Sequence, residues 1–334
     1  MYQPQAYAIA LVFMLTSMMC WGSWANTMKL APGWRFQLYY WDYVVGILVA
    51  SLLWGFTLGS TDRGPESFVA NLMQARAGSV ANALAAGVIF NVANLLLVAA
   101  IELAGLAVAF PIGIGLALVV GVLLNYALAP QGNPFLLFGG VALIVLAIVL
   151  DAAAHRRKET AHPALSVRAI VVSLACGVLM GLFYPFVTRA GAGPNGLGPY
   201  AVALVFALGV LVCAVPVNYF LMRHPITSGP PLTMRDYARG RSAWHLAGII
   251  GGVIWCTGTV FNFVAARAQI VGPAISYAIG QGATLVAAIW GVFVWHEFRD
   301  APVAARRLVV WMFVCFVAGL ALVAIAPVVR WGTP

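Results

Sequence analysis

A chain of 334 residues with 63% hydrophobic residues, 8% charged residues and a mean hydropathy of +0.96 is no water-soluble globule, in which about 25% of residues are charged. The net charge of +9 comes from 18 Lys and Arg scattered through short loops, which excludes a basic nucleic-acid face and leaves a topology signal in an integral membrane protein. Cys20, Cys176, Cys213, Cys256 and Cys315 sit inside apolar runs without CxxC or metal spacing, so they read as packing residues and not as a disulfide framework.

The N-terminal MYQPQ has no basic residue before the first apolar run, so it lacks the n-region of a cleavable signal and the first helix is expected to remain. A helix needs about 20 apolar residues to cross the hydrocarbon. Ten runs qualify, at about 7–27, 38–58, 79–100, 104–127, 134–151, 168–189, 198–220, 243–265, 269–295 and 305–326. Pro225, Pro230 and Pro231 forbid a continuous helix between the seventh and eighth. The fold class expected is all-α integral membrane.

The polar hinge 152–167, with HRRKET, separates residues 1–151 from 168–334, and each part holds five of the runs. An odd number per half inverts the second half, which predicts two inverted five-helix repeats. A shift of 165 positions supports a duplication: Gly87 falls on Gly252, Val88 on Val253, Ala100 on Ala265 and Gly115 on Gly280, without a gap. Arg63, Arg76, Arg189, Arg267 and Arg330 would lie on the side of the termini, and the other 13 basic residues on the hinge side. The positive-inside rule then makes the hinge cytoplasmic and puts both termini outside, in a cytoplasmic-type inner membrane.

No charged residue falls near the middle of a predicted span, and neutral polar residues take that place. Asn91 and Asn94 share one face of the third helix, as Cys256, Thr259 and Asn262 share one face of the eighth. The shift maps Asn91 on Cys256 and Asn94 on Thr259, so the two faces are counterparts. Either they line a path for a neutral polar solute or they only bond helix to helix. Tyr277 and Gln281 on the ninth helix offer further hydrogen bonds. Gly113, Ala117 and Gly121 on the fourth, like Ser276, Gly280 and Thr284 on the ninth, read as close-packing positions. Pro111 and Pro273 each remove a backbone hydrogen bond near a helix start.

Aromatic residues beside glycine give flat walls for stacking: Trp21 and Trp24 in CWGSWANTMK, with Tyr184 in the looser counterpart GLFYP. Trp34, Trp41 and Trp331 read instead as an interfacial belt. Asp42 in YYWDYVVG is the acid best placed for a coupling proton, with pairing to Lys29 or Arg35 as its alternative. Glu102 is a second candidate for coupling. It maps on Arg267, and the inverted halves put those two on opposite membrane sides.

At CWGSWANTMK, YYWDYVVG, Ile89–Tyr126 and GNPFLLFGGVALIVLAIVLDA the chain resembles bacterial members of the ureide permease and glucose/ribose porter branch of the drug/metabolite transporter superfamily. TGTVFNFVAARAQIVGPAISYAIGQG extends the likeness into the second half. The resemblance implies a ten-helix inverted repeat and a secondary carrier, proton-coupled where coupling is known. It also implies ureides such as allantoin, uracil, or monosaccharides as solutes.

The expectation is therefore an alternating-access transporter for a small neutral polar solute, with helices one, three, four, six, eight and nine lining its cavity. No cofactor is implied beyond a proton gradient. Expected partners are the solute and the lipid bilayer, with no nucleic acid; a homodimer is left open. An enzyme would need a metal or acid/base cluster, and WHEF at 295–298 is half of an HExxH motif with Asp300 where its second His belongs. A channel would need a ring of like polar groups, which one chain with unequal halves does not supply.

Overall fold

Ten helices long and apolar enough to cross a bilayer carry the described chain. They are α1 (Tyr7–Leu30), α2 (Phe36–Ser60), α3 (Ala77–Leu103), α4 (Pro111–Leu128), α5 (Pro134–Lys158), α6 (Val167–Ala190), α7 (Pro199–Arg223), α8 (Ser242–Arg267), α9 (Pro273–Val294) and α10 (Val303–Ile325). The computed structural model describes residues 1–61, 67–158, 166–225, 229–268 and 270–329. Arg63, Gln269, Arg330, Trp331 and the hinge residues 159–165 lie outside the described residues.

Three boundaries differ from the sequence expectation by more than about three residues: the starts of the fourth and ninth spans, the ninth at Pro273 and not near 269, and the end of the fifth. The fourth span begins at Pro111 and not near 104: after α3, Gly105 turns the chain at φ +74°, a short helical turn follows, and residues 110–115 form a wide π-type turn around Pro111. Gly272 turns the chain before Pro273 in the same way, at φ +78°. Only glycine holds that backbone without strain. The fifth span runs on to Lys158, past 151, because Ala152–Ala154 favour helix and His155, Arg156, Arg157 and Lys158 suit its negative C-terminal pole.

Side-by-side packing follows one scheme. α3 packs on α6 as α1 packs on α8; α2 packs on α8 as α3 packs on α7; α4 packs on α6 as α1 packs on α9. The pairs α2–α7, α4–α9 and α5–α10 are also in contact. Exchanging each helix with the one five places on maps these pairs onto each other or onto themselves.

Backbone contact between glycines sets the tightest seams. A Cβ on Gly46 would stand 2.2 Å from the Ile249 carbonyl oxygen, and one on Gly252 would stand 2.0 Å from that of Tyr43. A Cβ on Gly87 would stand 2.1 Å from the Phe206 carbonyl oxygen and one on Gly209 would stand 2.3 Å from that of Leu84, which makes the α3–α7 seam the match of the α2–α8 seam. Without a hydrophobic drive between helices in lipid, such close approach is what holds them. On α10 the exposed Val310, Trp311, Val314 and Val317 form a face for acyl chains.

Candidate solute site

A cavity of about 490 Å³ opens among α1, α2, α3, α4, α6, α8 and α9. Its deep walls are Trp21, Phe90, Asn94, Phe183, Trp255 and Gln281, and it runs past Met28 and Ile101 to the exposed Glu102 at the hinge-side end. Phe90 stacks on Trp255 with ring centroids 4.3 Å apart and planes at 28°, and Trp255 runs near-parallel to Trp21 at 6.2 Å and 17°. Trp24 leans on Tyr43 of α2 at 4.8 Å. The rings make a flat, apolar slot.

Neighbouring polar groups aim these rings. The Trp21 indole donates to Thr259 Oγ1 at 3.0 Å, and the Thr259 hydroxyl donates to the Trp255 carbonyl at 3.1 Å. Thr259 thus stands behind the slot and fixes the angle of Trp21. On α3, the Tyr40 hydroxyl donates to Asn91 Oδ1 at 2.8 Å, and Asn94 Nδ2 reaches the same hydroxyl at 3.5 Å. Asn91 is fully buried, so it orients Tyr40, while Asn94 lines the cavity. Gln281 lines the facing wall, and among the described residues its side-chain amide makes no hydrogen bond.

The other sequence candidates lie away from the cavity. Asn262 accepts from Tyr184 at 2.5 Å and donates to Ser17 Oγ at 3.3 Å and the Ser276 carbonyl at 2.9 Å, tying α8 to α6, α1 and α9. Buried interhelical bonds of this kind contribute about 0.6 kcal/mol each in lipid. Tyr277 donates its one hydroxyl proton between the carbonyls of Ala117 and Met180, both at 3.2 Å, and its ring fills the space over Gly121. With Tyr184 and Phe263 it forms an aromatic layer below the slot. Beyond that layer is a second hollow of about 360 Å³, at the opposite end, lined by Gln131, Thr188 and Arg267. There the Arg267 guanidinium donates to the Gly191 carbonyl and Arg76 to that of Ala192 at 2.8 Å, strapping the α6–α7 turn down.

Asp42 is in neither hollow. Its carboxylate meets Tyr237 and His245, and neither Lys29 nor Arg35. Lys29 pairs with Glu297 at 3.4 Å and lies 4.0 Å above the Trp295 ring, while Arg35 donates to the Pro230 carbonyl at 2.7 Å. Trp34 packs against Tyr237 and Trp244, and the Trp41 indole donates to the Met222 sulfur at 3.1 Å.

A tether at the hinge end fastens α1 to α9 and the turn after it. Trp290 donates to Ser23 Oγ at 2.9 Å and Trp295 to Asn26 Oδ1 at 2.7 Å. His155 and Lys29 facing Glu297 push its carboxyl down to about 2. Since the folded value is below the ordinary one, the tether's contribution is full above about pH 4.5 and is lost as pH falls towards 2. Glu297→Gln should therefore lower the thermal midpoint at pH 7 and leave it equal to wild type near pH 2; a constant offset across that range would remove the ion pair from the tether.

Sequence reasoning missed Phe90 and Trp255. The shift of 165 positions maps one onto the other, so the two stacked rings were already paired in the duplicated pattern. Also missed was the short helix Met234–Ala238, although Thr233 and Asp236 have the spacing of a capping box and form one.

A bundle of spanning helices around an aromatic, mostly apolar cavity with a few amides, reached from one end, is the form of a membrane transport protein. The ureide permease family model matches residues 39–171 and 168–326. Ureide permease 2 of Arabidopsis thaliana is 24% identical, with 96% of this chain and 98% of that protein covered. Ureide permease 5 of the same plant is 26% identical, covering 96% and 95%. A probable ureide permease A3 of Vigna unguiculata is 33% identical over 42% of this chain and 39% of its own. One solved crystal structure shares the fold at a TM-score of 0.63 and 15% identity, with 94% of this chain and 96% of that one covered. The chain belongs to the ureide permease family.

Proposed function

We propose that the protein is a secondary carrier for a small, neutral, planar ureide or nucleobase, held in the slot of Trp21, Trp24, Phe90 and Trp255 and gripped at its edges by Asn94 and Gln281. The observation that carries this reading is the chemistry of the deep cavity: flat rings, two amides on facing walls and, among the described residues, no charged side chain beside them. Amides pair with the N–H and C=O groups that rim a ureide, and rings pack on its faces. A monosaccharide would present hydroxyls all round to a wall that is mostly apolar. The names of the relatives point to the same solute class.

On this reading the two five-helix halves, 1–151 and 168–334, are inverted repeats of the drug/metabolite transporter type. The exchange symmetry of the packing and the matched glycine seams support it. Rocking of one half on the other would open the aromatic layer of Tyr184, Phe263 and Tyr277 and the Arg267 strap, and close the hinge-side end. The basic hinge side would face the cytoplasm with the termini outside.

Uptake of labelled allantoin, uracil, ribose and glucose into proteoliposomes tests the proposal. Allantoin or uracil should enter saturably and show counterflow, and the sugars should not. Saturable sugar uptake without ureide uptake would move the solute class, and unsaturable flux would point to a channel.

A further inference from the structure

Asp42 stands out as a buried acid that the solute site does not use. Its side chain is 5% exposed, that of His245 is 24% exposed, and His245 Nδ1 lies 2.9 Å from Asp42 Oδ2. The Tyr237 hydroxyl donates to the other carboxylate oxygen, Oδ1, at 2.7 Å. Three separate elements thus meet at one carboxylate: α2, the first turn of α8, and the short helix Met234–Ala238.

Among the described residues the surroundings leave this trio to itself. On α2 the Tyr39 hydroxyl is taken by Thr27 at 2.6 Å, and α7 presents the neutral Asn218 and Met222. Arg35 is held by the Pro230 carbonyl, Arg241 lies over the Trp244 ring, and Asp236 caps its own helix at Thr233. Burial, together with the Asp42 charge, holds the Tyr237 phenol well above its ordinary pKa, so it remains a donor. The group left to exchange a proton with hinge-side water is the imidazole.

Position gives that proton a consequence. Gly248, one turn along α8 from His245, lets the backbone close on Asp42: a Cβ there would stand 2.5 Å from Asp42 Cβ. The same α2–α8 seam continues through Gly46 and Gly252. Past it, Tyr40 and Tyr43 on α2 touch Asn94 and Trp24, while α8 carries Trp255. The trio therefore stands at one end of a seam whose other end is a wall of the solute cavity.

We propose that Asp42, His245 and Tyr237 form a proton-binding site outside the solute cavity, and that its occupancy sets how α2 fits against α8. With Nδ1–H directed at Asp42, a proton from hinge-side water adds to the Nε2 lone pair of His245. The site passes from a net charge of −1 to 0 as carboxylate and imidazolium pair, and no other bond changes. The paired state holds the seam shut, and the unpaired state leaves a buried carboxylate with weaker partners and loosens it.

Two measurements on the full chain separate this site from the solute assignment. The Trp34 ring lies edge-on to His245 at 5.4 Å, close enough for an imidazolium to quench it. Without solute, in detergent, tryptophan emission should fall on acidification. His245→Gln and Trp34→Phe should lose that step, and Asp42→Asn should weaken it. In proteoliposomes, Asp42→Asn and His245→Gln should flatten the pH profile of allantoin uptake and keep solute exchange. An emission step unchanged in His245→Gln, or a wild-type pH profile in both variants, overturns the proposal. The transport arm rests on the solute reading, whereas the emission arm decides the proton site even if allantoin is not carried.

Discussion

Asn94→Ala should lower kcat/KM for ureide uptake about 100-fold, equivalent to about 2.7 kcal/mol of lost stabilisation, while the protein still inserts and elutes as a single species. The amide is almost wholly buried and lines the cavity, and its only described partner is the Tyr40 hydroxyl at a long 3.5 Å. On the proposed reading, a solute N–H or C=O that loses this contact would be left unpaired in a buried place, which is why one amide should weigh so much. Asn91→Ala makes the comparison. That side chain is closed off behind Tyr40, so its removal should act through the angle of Tyr40 and cost less transport than Asn94→Ala. Uptake by Asn94→Ala within a factor of two of wild type would take this residue off the solute path.

Gly252→Val should prevent the bundle from assembling. Its Cβ would stand 2.0 Å from the Tyr43 carbonyl oxygen and 2.9 Å from Gly46 Cα, and both are backbone atoms that no rotamer change can move aside. α2 and α8 would have to separate along their length, giving up packing that lipid does not replace. The variant should show no monodisperse peak, or a thermal midpoint lower by about 10 °C or more, as expected of a substitution costing several kcal/mol. Gly139→Ala is the control, because its Cβ would meet only Leu322 Cδ1 at 4.0 Å. A wild-type midpoint for Gly252→Val would mean that the α2–α8 contact is looser than the structure has it.

The ten spans were legible because a bilayer demands about 20 apolar residues in a row and leaves little room for other answers. Their ends were less so. The start of α4 depends on a glycine with positive φ followed by a wide turn, and the end of α5 on helix-favouring alanines and a pole that attracts cations. Within the site, Trp21, Trp24, Asn94 and Gln281 line one cavity, with Glu102 at its mouth. Thr259, Asn91, Asn262, Tyr184 and Tyr277 lie behind or below it. Spacing alone puts Asn91 and Asn94 on one face, and a rotation of some tens of degrees decides which of them meets the cavity. The partners of Asp42 were hidden for another reason: Tyr237 and His245 are about 200 positions away along the chain, and no local pattern links them.

The cavity is larger than the solute proposed for it. At about 490 Å³ it falls in the range of about 300–1,000 Å³ that holds drug-sized ligands, and a single-ring ureide fills only part of that. Spare room lets a small cargo leave once the layer below opens, since little of its surface is gripped. It also exposes the protein to pharmacology. A compound with a ureide head for Asn94 and Gln281 and an aromatic tail reaching Met28 and Ile101 would occupy the whole space, wedge the hinge-side mouth and arrest the cycle as a non-transported blocker.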